Sequence, residues 1–259
     1  MLIRFDDLEG TAIEAKDDKV GKVGDLYFDD RDWKVRYLIA DTDGWFSSRK
    51  VLLSPASVDE FDLEDDVIRM NLTKKQIESS PPIGTNEPVS RKMEAQLVKH
   101  YDWPTYWSVL TPSMGDAVVT PVVPRPGVDP RQPEVEDTDH GVLTASDDQG
   151  LRSAEEVKGY DIRTMDGSVG HVDGFIYDPE SWDIRYLVVD TRRILPGKKV
   201  LIPRPMITDV SWETREVTIA TTEDHVRTAP AYDQSGIERE DETKILSHFG
   251  RSAEAVRSE

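Results

Sequence analysis

Histidine is the residue most often used to bind a metal or to transfer a proton near neutral pH. The chain contains five histidines, which are His100, His140, His171, His225 and His248. No two of them have the spacing of a compact metal-binding motif such as His-Glu-x-x-His. We therefore interpret them as surface or packing residues. His100 and His248 each precede an aromatic residue, and we expect both to have a structural position at the end of a helix.

Three clusters of acidic residues could instead bind a hard cation, because Ca²⁺ and Mg²⁺ prefer carboxylate oxygens. The clusters occupy residues 29–32, 41–44 and 62–66. None continues into a full calcium-binding loop that closes with a distant glutamate. We predict solvated turns at these positions and assign no metal-ligating residue.

Cysteine and several motifs of covalent or phosphate-dependent catalysis are also missing from the sequence. The chain has no cysteine, which excludes a thiolate nucleophile, a disulfide and a cysteine-bound metal. It has no glycine-rich phosphate loop, no Gly-x-Ser-x-Gly turn and no dinucleotide-binding motif. We predict that the protein is not an enzyme and assign no catalytic residue, no cofactor and no cofactor-binding residue.

Two repeated charge pairs and one aromatic cluster are weaker candidates for binding. The pairs are Arg36 with Asp41 and Arg185 with Asp190. They could recognise a partner, but an ordinary salt bridge or turn cap at the end of a strand is the preferred interpretation. The aromatic cluster comprises Trp103, Tyr106 and Trp107. Packing of a helix onto a β-sheet explains this cluster more simply than a binding platform does.

The acidic composition argues against nucleic acid as a direct partner. The formal net charge is −19, from 32 Lys and Arg against 51 Asp and Glu. This charge repels phosphate backbones unless a local basic patch escapes the average, and none is evident in the sequence. Hydrophobic residues make up 37% of the chain, which leaves enough apolar side chains for packed cores.

The sequence also lacks the apolar segments that a membrane protein needs. No apolar run approaches the roughly 20 residues that span a bilayer. Residues 1–7 do not follow the basic-then-apolar pattern of a signal peptide. We expect a cytoplasmic protein without a membrane span, while peripheral association with a membrane complex stays open.

The elements that must position these residues occur twice in the chain. Residues 20–29 align with residues 169–178, and residues 33–42 align with residues 182–191 without a gap. The shared positions are mostly apolar residues, glycine or tryptophan. A repeated scaffold requires such residues, whereas a repeated active site would require clustered polar ones. We infer a duplicated fold.

Each copy has the sequence pattern of a small all-β barrel. Short runs rich in Val, Ile, Leu and aromatic residues alternate with Asp, Gly, Pro and Ser clusters. In the first copy we predict five strands, at residues 11–16, 20–29, 34–41, 50–54 and 67–72. Gly21 and Gly170 fall inside strands, which predicts a bulge or bend that curls the sheet.

A helix is predicted after each copy, where it would cover the apolar outer face of the strand at residues 34–41. The first helix begins near Ser90. Its apolar positions are Met93, Leu97, Val98 and Tyr101, and the second copy repeats them as Ile245, Leu246 and Phe249.

Residues 104–150 form a different kind of segment between the copies. They contain seven of the 16 prolines and eight acidic residues against two arginines. This composition predicts an extended linker without a core. We therefore divide the chain into a first barrel (1–82), its helix and aromatic tail (83–107), a Pro-rich acidic linker (108–150), a second barrel (151–231) and a final helix with its tail (232–259).

These motifs resemble the PRC-barrel family, which is named for the barrel domain of the photosynthetic reaction-centre H subunit. The resemblance rests on a strand that begins with Val-Gly, an Asp-rich turn followed by Trp, and the run Arg-Tyr-Leu-Ile/Val-x-Asp at residues 36–41 and 185–190. Residues 88–107 are similar to the tail that follows the barrel in soluble bacterial members. The resemblance covers residues 3–107 and 151–250. It implies a mainly β protein with two small SH3-like barrels, each followed by a short α-helix.

The resemblance implies binding and assembly without fixing a ligand, because one fold serves many functions. We expect a protein-interaction or assembly adaptor that binds a protein partner or self-associates through strand edges and an inter-barrel groove. A small-ligand or cation-binding stress protein is the alternative. An assembly role at the ribosome or at a photosynthetic complex, by analogy with the ribosome maturation factor and the H subunit, is a third hypothesis.

Overall fold

The computed structural model of the chain describes residues 2–42, 50–62, 65–81, 91–105, 151–191, 198–233, 237 and 239–250. Within these residues the protein is mainly β and consists of two modules, the first at residues 2–105 and the second at residues 151–250. The predicted linker, the predicted start of the first helix at Ser90, and the residues Tyr106, Trp107 and His140 lie outside the described residues.

The first module contains all five predicted strands and two that were not predicted. Its strands are β1 (Ile3–Arg4), β2 (Ala12–Glu14), β3 (Lys19–Asp29), β4 (Lys34–Asp41), β5 (Lys50–Leu53), β6 (Val58–Asp62) and β7 (Val67–Met70). Its helices are α1 (Phe5–Leu8), α2 (Lys74–Glu78) and α3 (Arg91–Tyr101). The predicted trailing helix is α3, whereas β1 and β6 are the unpredicted strands.

The second module repeats this order of elements. Its strands are β8 (Leu151–Ser153), β9 (Asp161–Arg163), β10 (Ser168–Tyr177), β11 (Ile184–Asp190), β12 (Lys199–Pro203), β13 (Ile207–Ser211) and β14 (Glu216–Ile219). Its helices are α4 (Ala154–Val157), α5 (Glu223–Thr228) and α6 (Arg239–His248). None of the helices in the described part of the chain has the length and apolarity that a membrane crossing requires.

Both modules share one sheet topology. The strand order is β5-β4-β3-β2-β7-β6 in the first module and β12-β11-β10-β9-β14-β13 in the second. Neighbouring strands are antiparallel except for the pairs β2/β7 and β9/β14, which are parallel. The repeated topology confirms the duplicated fold of two small β-barrels.

Gly21 and Gly170 allow β3 and β10 to approach the next strand closely. A Cβ added at Gly21 would lie 2.1 Å from the carbonyl oxygen of Asp41. A Cβ added at Gly170 would lie 1.8 Å from that of Asp190. Gly170 also has a φ of +63°, and the register of β9 against β10 shifts beside it. The predicted bend is confirmed, and a side chain is sterically excluded at both positions.

A buried hydrogen bond fastens each trailing helix to its barrel. The Tyr37 hydroxyl on β4 donates to Glu94 on α3 at 3.0 Å, and the Tyr186 hydroxyl on β11 donates to Glu242 on α6 at 3.1 Å. All four side chains are buried. The helix therefore packs against β4, and its apolar residue Leu97 is buried.

A left-handed residue ends α3 and directs the chain that follows it. Asp102 has a φ of 57°, and the Trp103 N–H donates to the Val98 carbonyl at 3.1 Å. This is the hydrogen bond of a Schellman cap, in which glycine is the preferred left-handed residue. The second module has Gly250 at the equivalent position, with a φ of 67°.

Replacing Asp102 by glycine is therefore expected to stabilise the protein slightly. We expect a gain of about 0.5 kcal/mol, because relief of left-handed strain exceeds the entropy that glycine adds to the unfolded chain. Urea denaturation of the wild type, Asp102→Gly and Asp102→Ala measures this effect. The alanine variant controls for loss of the charge, and an equal gain in both variants would refute the explanation by strain.

Candidate functional site

The two modules exchange strands. β1 of the first module pairs antiparallel with β10 of the second, so that Ile3 lies opposite Tyr177. β8 of the second module pairs antiparallel with β3 of the first, so that Ser153 lies opposite Tyr27. Each module therefore adds a strand to the sheet of the other, and the tandem forms a pseudo-symmetric pair.

Two strained tryptophans lie at the centre of this module interface. Trp33 and Trp182 have φ values of 59° and 63°, in the left-handed region that bulky residues rarely adopt. The Val35 N–H donates to the Trp182 carbonyl at 2.9 Å, and the Ile184 N–H donates to the Trp33 carbonyl at 2.7 Å. The strained conformation thus directs each carbonyl toward the other module. Such strain persists only where the surrounding contacts enforce it.

The apolar cores of the modules are continuous across the interface. The rings of Phe28 and Phe175 lie 5.3 Å apart between centroids, and both are buried. The buried residues of both modules belong to one hydrophobic cluster. A continuous core couples the stability of one module to that of the other.

The acidic turn at residues 29–32 lies at this interface. Arg31 and Asp32 are exposed, as predicted for a solvated turn, whereas Asp29 is buried and Asp30 is half-buried. Each of its carboxylates forms an ion pair with a guanidinium. The pairs are Asp29 with Arg31, Asp30 with Arg152 and Asp32 with Arg36. The Asp30–Arg152 pair, at 2.6 Å, joins the two modules. Of these three pairs, the one with Asp30 depends on the second module, which supplies Arg152.

The predicted pairing of Arg36 with Asp41 is wrong. Arg36 lies at a bulge of β4, between Val35 and Tyr37, which lie opposite adjacent residues of β3. Arg36 forms an ion pair with Asp32 in the preceding turn. The recurrence of Arg and Asp at the same spacing in both copies does not reveal this partner.

A second ion-pair network joins the modules near β1. Arg4, which is buried, binds Asp173 of β10 at 2.7 Å, and Lys199 binds the same carboxylate at 2.7 Å. Lys158 binds Asp6 at 2.7 Å. Burial raises the pKa of Asp6, but the hydrogen bonds from Lys158 and Arg4 outweigh it and leave the pKa below its usual value.

Asp25 is a buried carboxylate at the pairing of β3 with β8. It accepts hydrogen bonds from the Ser153 hydroxyl at 2.5 Å, from the Glu155 N–H at 3.1 Å and from the Leu26 N–H at 2.7 Å. Burial nevertheless raises the pKa of Asp25 above its usual value. The carboxylate therefore binds its proton more tightly in the folded protein than in the unfolded chain.

This difference makes the contribution of Asp25 to stability depend on pH. A carboxyl group with a raised pKa in the folded state favours folding at low pH and loses that contribution as the pH rises through its folded pKa. We expect the free energy of unfolding of the wild type, relative to Asp25→Asn, to fall as the pH rises from 4 to 7. Urea denaturation at several pH values measures this. A relative stability that stays constant or rises with pH would contradict the assignment.

A groove, here called groove A, opens between the modules with a volume of about 590 Å³. One wall is β6 with the short turn Pro55–Ser57, and the end of α3 closes one side. The turn at residues 179–182 of the second module closes the other side. β6 is the last strand of its sheet among the described residues, and four of its five residues line this open space.

The cap of α3 places the aromatic side chain of Trp103 in the lining of groove A. Its Nε1–H donates to the Ser57 hydroxyl at 2.5 Å, and its ring stacks on Tyr101 with 4.2 Å between centroids. The side chain is half-buried. The predicted packing role of this aromatic residue is therefore correct, but its exposed part also lines the groove.

A second groove, groove B, lies at the equivalent position of the other module, with a volume of about 720 Å³. Three arginines from three separate segments line it, namely Arg31, Arg152 and Arg204. Sequence reasoning did not identify this basic group, because only the module interface brings the three residues together. Asp30 and Asp209 also line groove B, so that its charges are mixed.

The histidines described by the structure hold helices in place. The His100 Nε2–H donates to the Gln76 carbonyl at 2.9 Å, which ties α3 to α2. In the second module His225 and His248 each donate from Nε2 to the other residue's carbonyl, at 2.9 and 2.8 Å. The expected structural position of His100 and His248 at the end of a helix agrees with these contacts. His171 lies half-buried on β10.

Comparison with known families assigns both modules. Residues 1–77 and residues 150–226 each match the model of the PRC-barrel domain. A comparison with curated proteins gave no match. The two matches cover more than half of the chain and coincide with the two copies of one fold described above. The chain therefore belongs to the PRC-barrel family and carries two of its domains in tandem.

Proposed function

We propose that this tandem is a non-enzymatic adaptor that acts in the cytoplasm and binds a protein partner through the grooves between its barrels. The observation that carries the proposal is groove A, which presents partly exposed aromatic and apolar side chains beside β6, the last strand of its sheet among the described residues. Exposed apolar surface framed by polar residues is typical of protein interaction sites.

The construction of the module interface supports the same function. The exchanged strands and the Asp30–Arg152 ion pair fix the position of one barrel against the other. Residues from both modules line groove A, including Phe61 from the first and Glu180 from the second. A groove with walls held in this way loses little conformational entropy when a partner binds.

Site-specific photo-crosslinking tests the proposal. A benzoylphenylalanine is placed at Ala56, an exposed residue of groove A, at Thr208, an exposed residue of groove B, or at Met165, an exposed residue of neither groove. The three full-length variants are expressed in the native host, irradiated, and their adducts are identified by mass spectrometry. We expect a specific protein adduct from at least one groove position and none from Met165.

Two other outcomes of the photo-crosslinking experiment would change the conclusion. Groove positions that give no adduct beyond those of the Met165 control would refute an adaptor that works through its grooves. An adduct that consists of a second copy of the chain would assign the groove to self-association.

A further inference from the structure

The chemistry of groove A identifies the kind of segment that it can bind. Its apolar wall comprises Val58, Phe61, Val98 and Trp103, all partly exposed, and Pro104 lies beside them. The indole N–H of Trp103 is already bonded to Ser57. The indole therefore offers a ligand its ring and no hydrogen-bond donor. Such a surface favours flat apolar rings and cations over polar groups.

The rim of groove A is acidic. Asp59 and Glu180 line it with exposed side chains, and neither carboxylate has a cationic partner in the described part of the chain. The two cations of the groove are already paired. They are Lys34, which binds Asp183 at 3.3 Å, and Arg36, which binds Asp32. The charge left for a ligand is negative, and it complements Lys or Arg.

Groove B provides an internal comparison. It lies at the position in the duplicated fold that is equivalent to groove A, but its lining residues differ in charge. Arg31 occupies the place of Glu180, and Thr208 occupies the place of Asp59. The two grooves have therefore diverged in the charge of their rims. The acidic rim and the Trp103 ring occur together in groove A, where they can act on one ligand.

We propose that groove A binds an extended, proline-containing protein segment that carries Lys or Arg, with prolines against the aromatic wall and the cation at Asp59 and Glu180. Aromatic-lined grooves recognise such segments because a polyproline helix is already extended and loses little entropy on binding. This inference rests on the proposed adaptor function and specifies its partner.

An unbiased peptide selection tests the proposal. A phage library of random twelve-residue peptides is selected on the full-length wild type and depleted on the double variant Asp59→Lys/Glu180→Lys. We expect the enriched peptides to contain more proline and more Lys or Arg than the starting library. Enrichment of acidic or proline-free peptides, or no enrichment at all, would overturn the proposal.

Binding of one enriched peptide then locates the site. Its affinity, measured by fluorescence anisotropy, is expected to fall at least tenfold in Asp59→Lys/Glu180→Lys, because opposite charges at the rim become like charges. The control is Asp209→Lys, which makes a similar change in groove B and should leave the affinity unchanged. Thermal melting confirms that all variants are folded. An equal loss of affinity in the control would place the peptide outside groove A.

The photo-crosslinking experiment distinguishes failure of the proposed ligand chemistry from failure of the proposed adaptor function. A partner captured at Ala56 with no enrichment of basic, proline-containing peptides would leave the adaptor function intact and refute the chemistry of its ligand. Failure of both experiments would refute both.

Discussion

Replacing Gly170 by alanine is expected to destabilise the protein by more than about 4 kcal/mol, enough to prevent stable folding. The added Cβ would lie 1.8 Å from the Asp190 carbonyl oxygen and 2.8 Å from the Thr191 Cα. These are backbone atoms at the end of β11 and in the residue after it, so they cannot move aside as a flexible side chain can. The φ of +63° adds left-handed strain. Soluble yield and urea denaturation measure the effect.

Gly159→Ala is the matched control for this prediction. Gly159 has a φ of +83°, but an added Cβ would meet no atom within 4 Å. This variant should therefore lose only the 1 to 2 kcal/mol or so of left-handed strain. The difference between the two variants measures the close approach of β10 to β11. If Gly170→Ala loses no more stability than Gly159→Ala, the steric account is wrong.

Replacing Trp33 by alanine is expected to cost about 3 to 5 kcal/mol, because it removes a large side chain that is 4% exposed at the module interface. Trp33→Gly should cost about 1 kcal/mol less than Trp33→Ala. This order reverses the usual one, since glycine normally destabilises a folded protein more than alanine does. It follows because glycine removes the strain of the left-handed conformation, whereas alanine keeps it.

Urea denaturation of both variants checks this order. Trp212→Ala is the control for loss of an indole, because Trp212 is 47% exposed, and it should change stability by no more than about 0.5 kcal/mol. A Trp33→Gly variant less stable than Trp33→Ala would show that the backbone of Trp33 is not strained in solution.

Local patterns in the sequence predicted most of each barrel. The five predicted strands carry runs of apolar residues, and the two missed strands do not. β1 has only two residues, too few for any periodicity. In β6 the apolar residues Val58 and Phe61 are separated by two acidic residues, which is not the alternation of a half-buried strand. Both missed strands form through pairing with another strand and not through a local apolar pattern.

The relationship between the barrels could not be predicted from the repeat. Two copies of one sequence are equally consistent with independent domains and with exchanged strands, because the apolar pattern within each copy is the same. The pairing of Ile3 with Tyr177 joins residues far apart in the chain. An inter-barrel groove was expected, but the residues that line it were not predicted for the same reason, since its walls come from both modules. Trp103 was predicted to pack a helix onto the sheet, but its position in groove A depends on the left-handed cap at Asp102.

Exchanged strands and a continuous core make the two barrels one cooperative unit. Differential scanning calorimetry of the full-length protein tests it most directly. We predict a single transition whose calorimetric enthalpy equals its van't Hoff enthalpy. Two separable transitions, of which Gly170→Ala abolishes one and leaves the other at its wild-type temperature, would show that the barrels fold independently and would contradict the account.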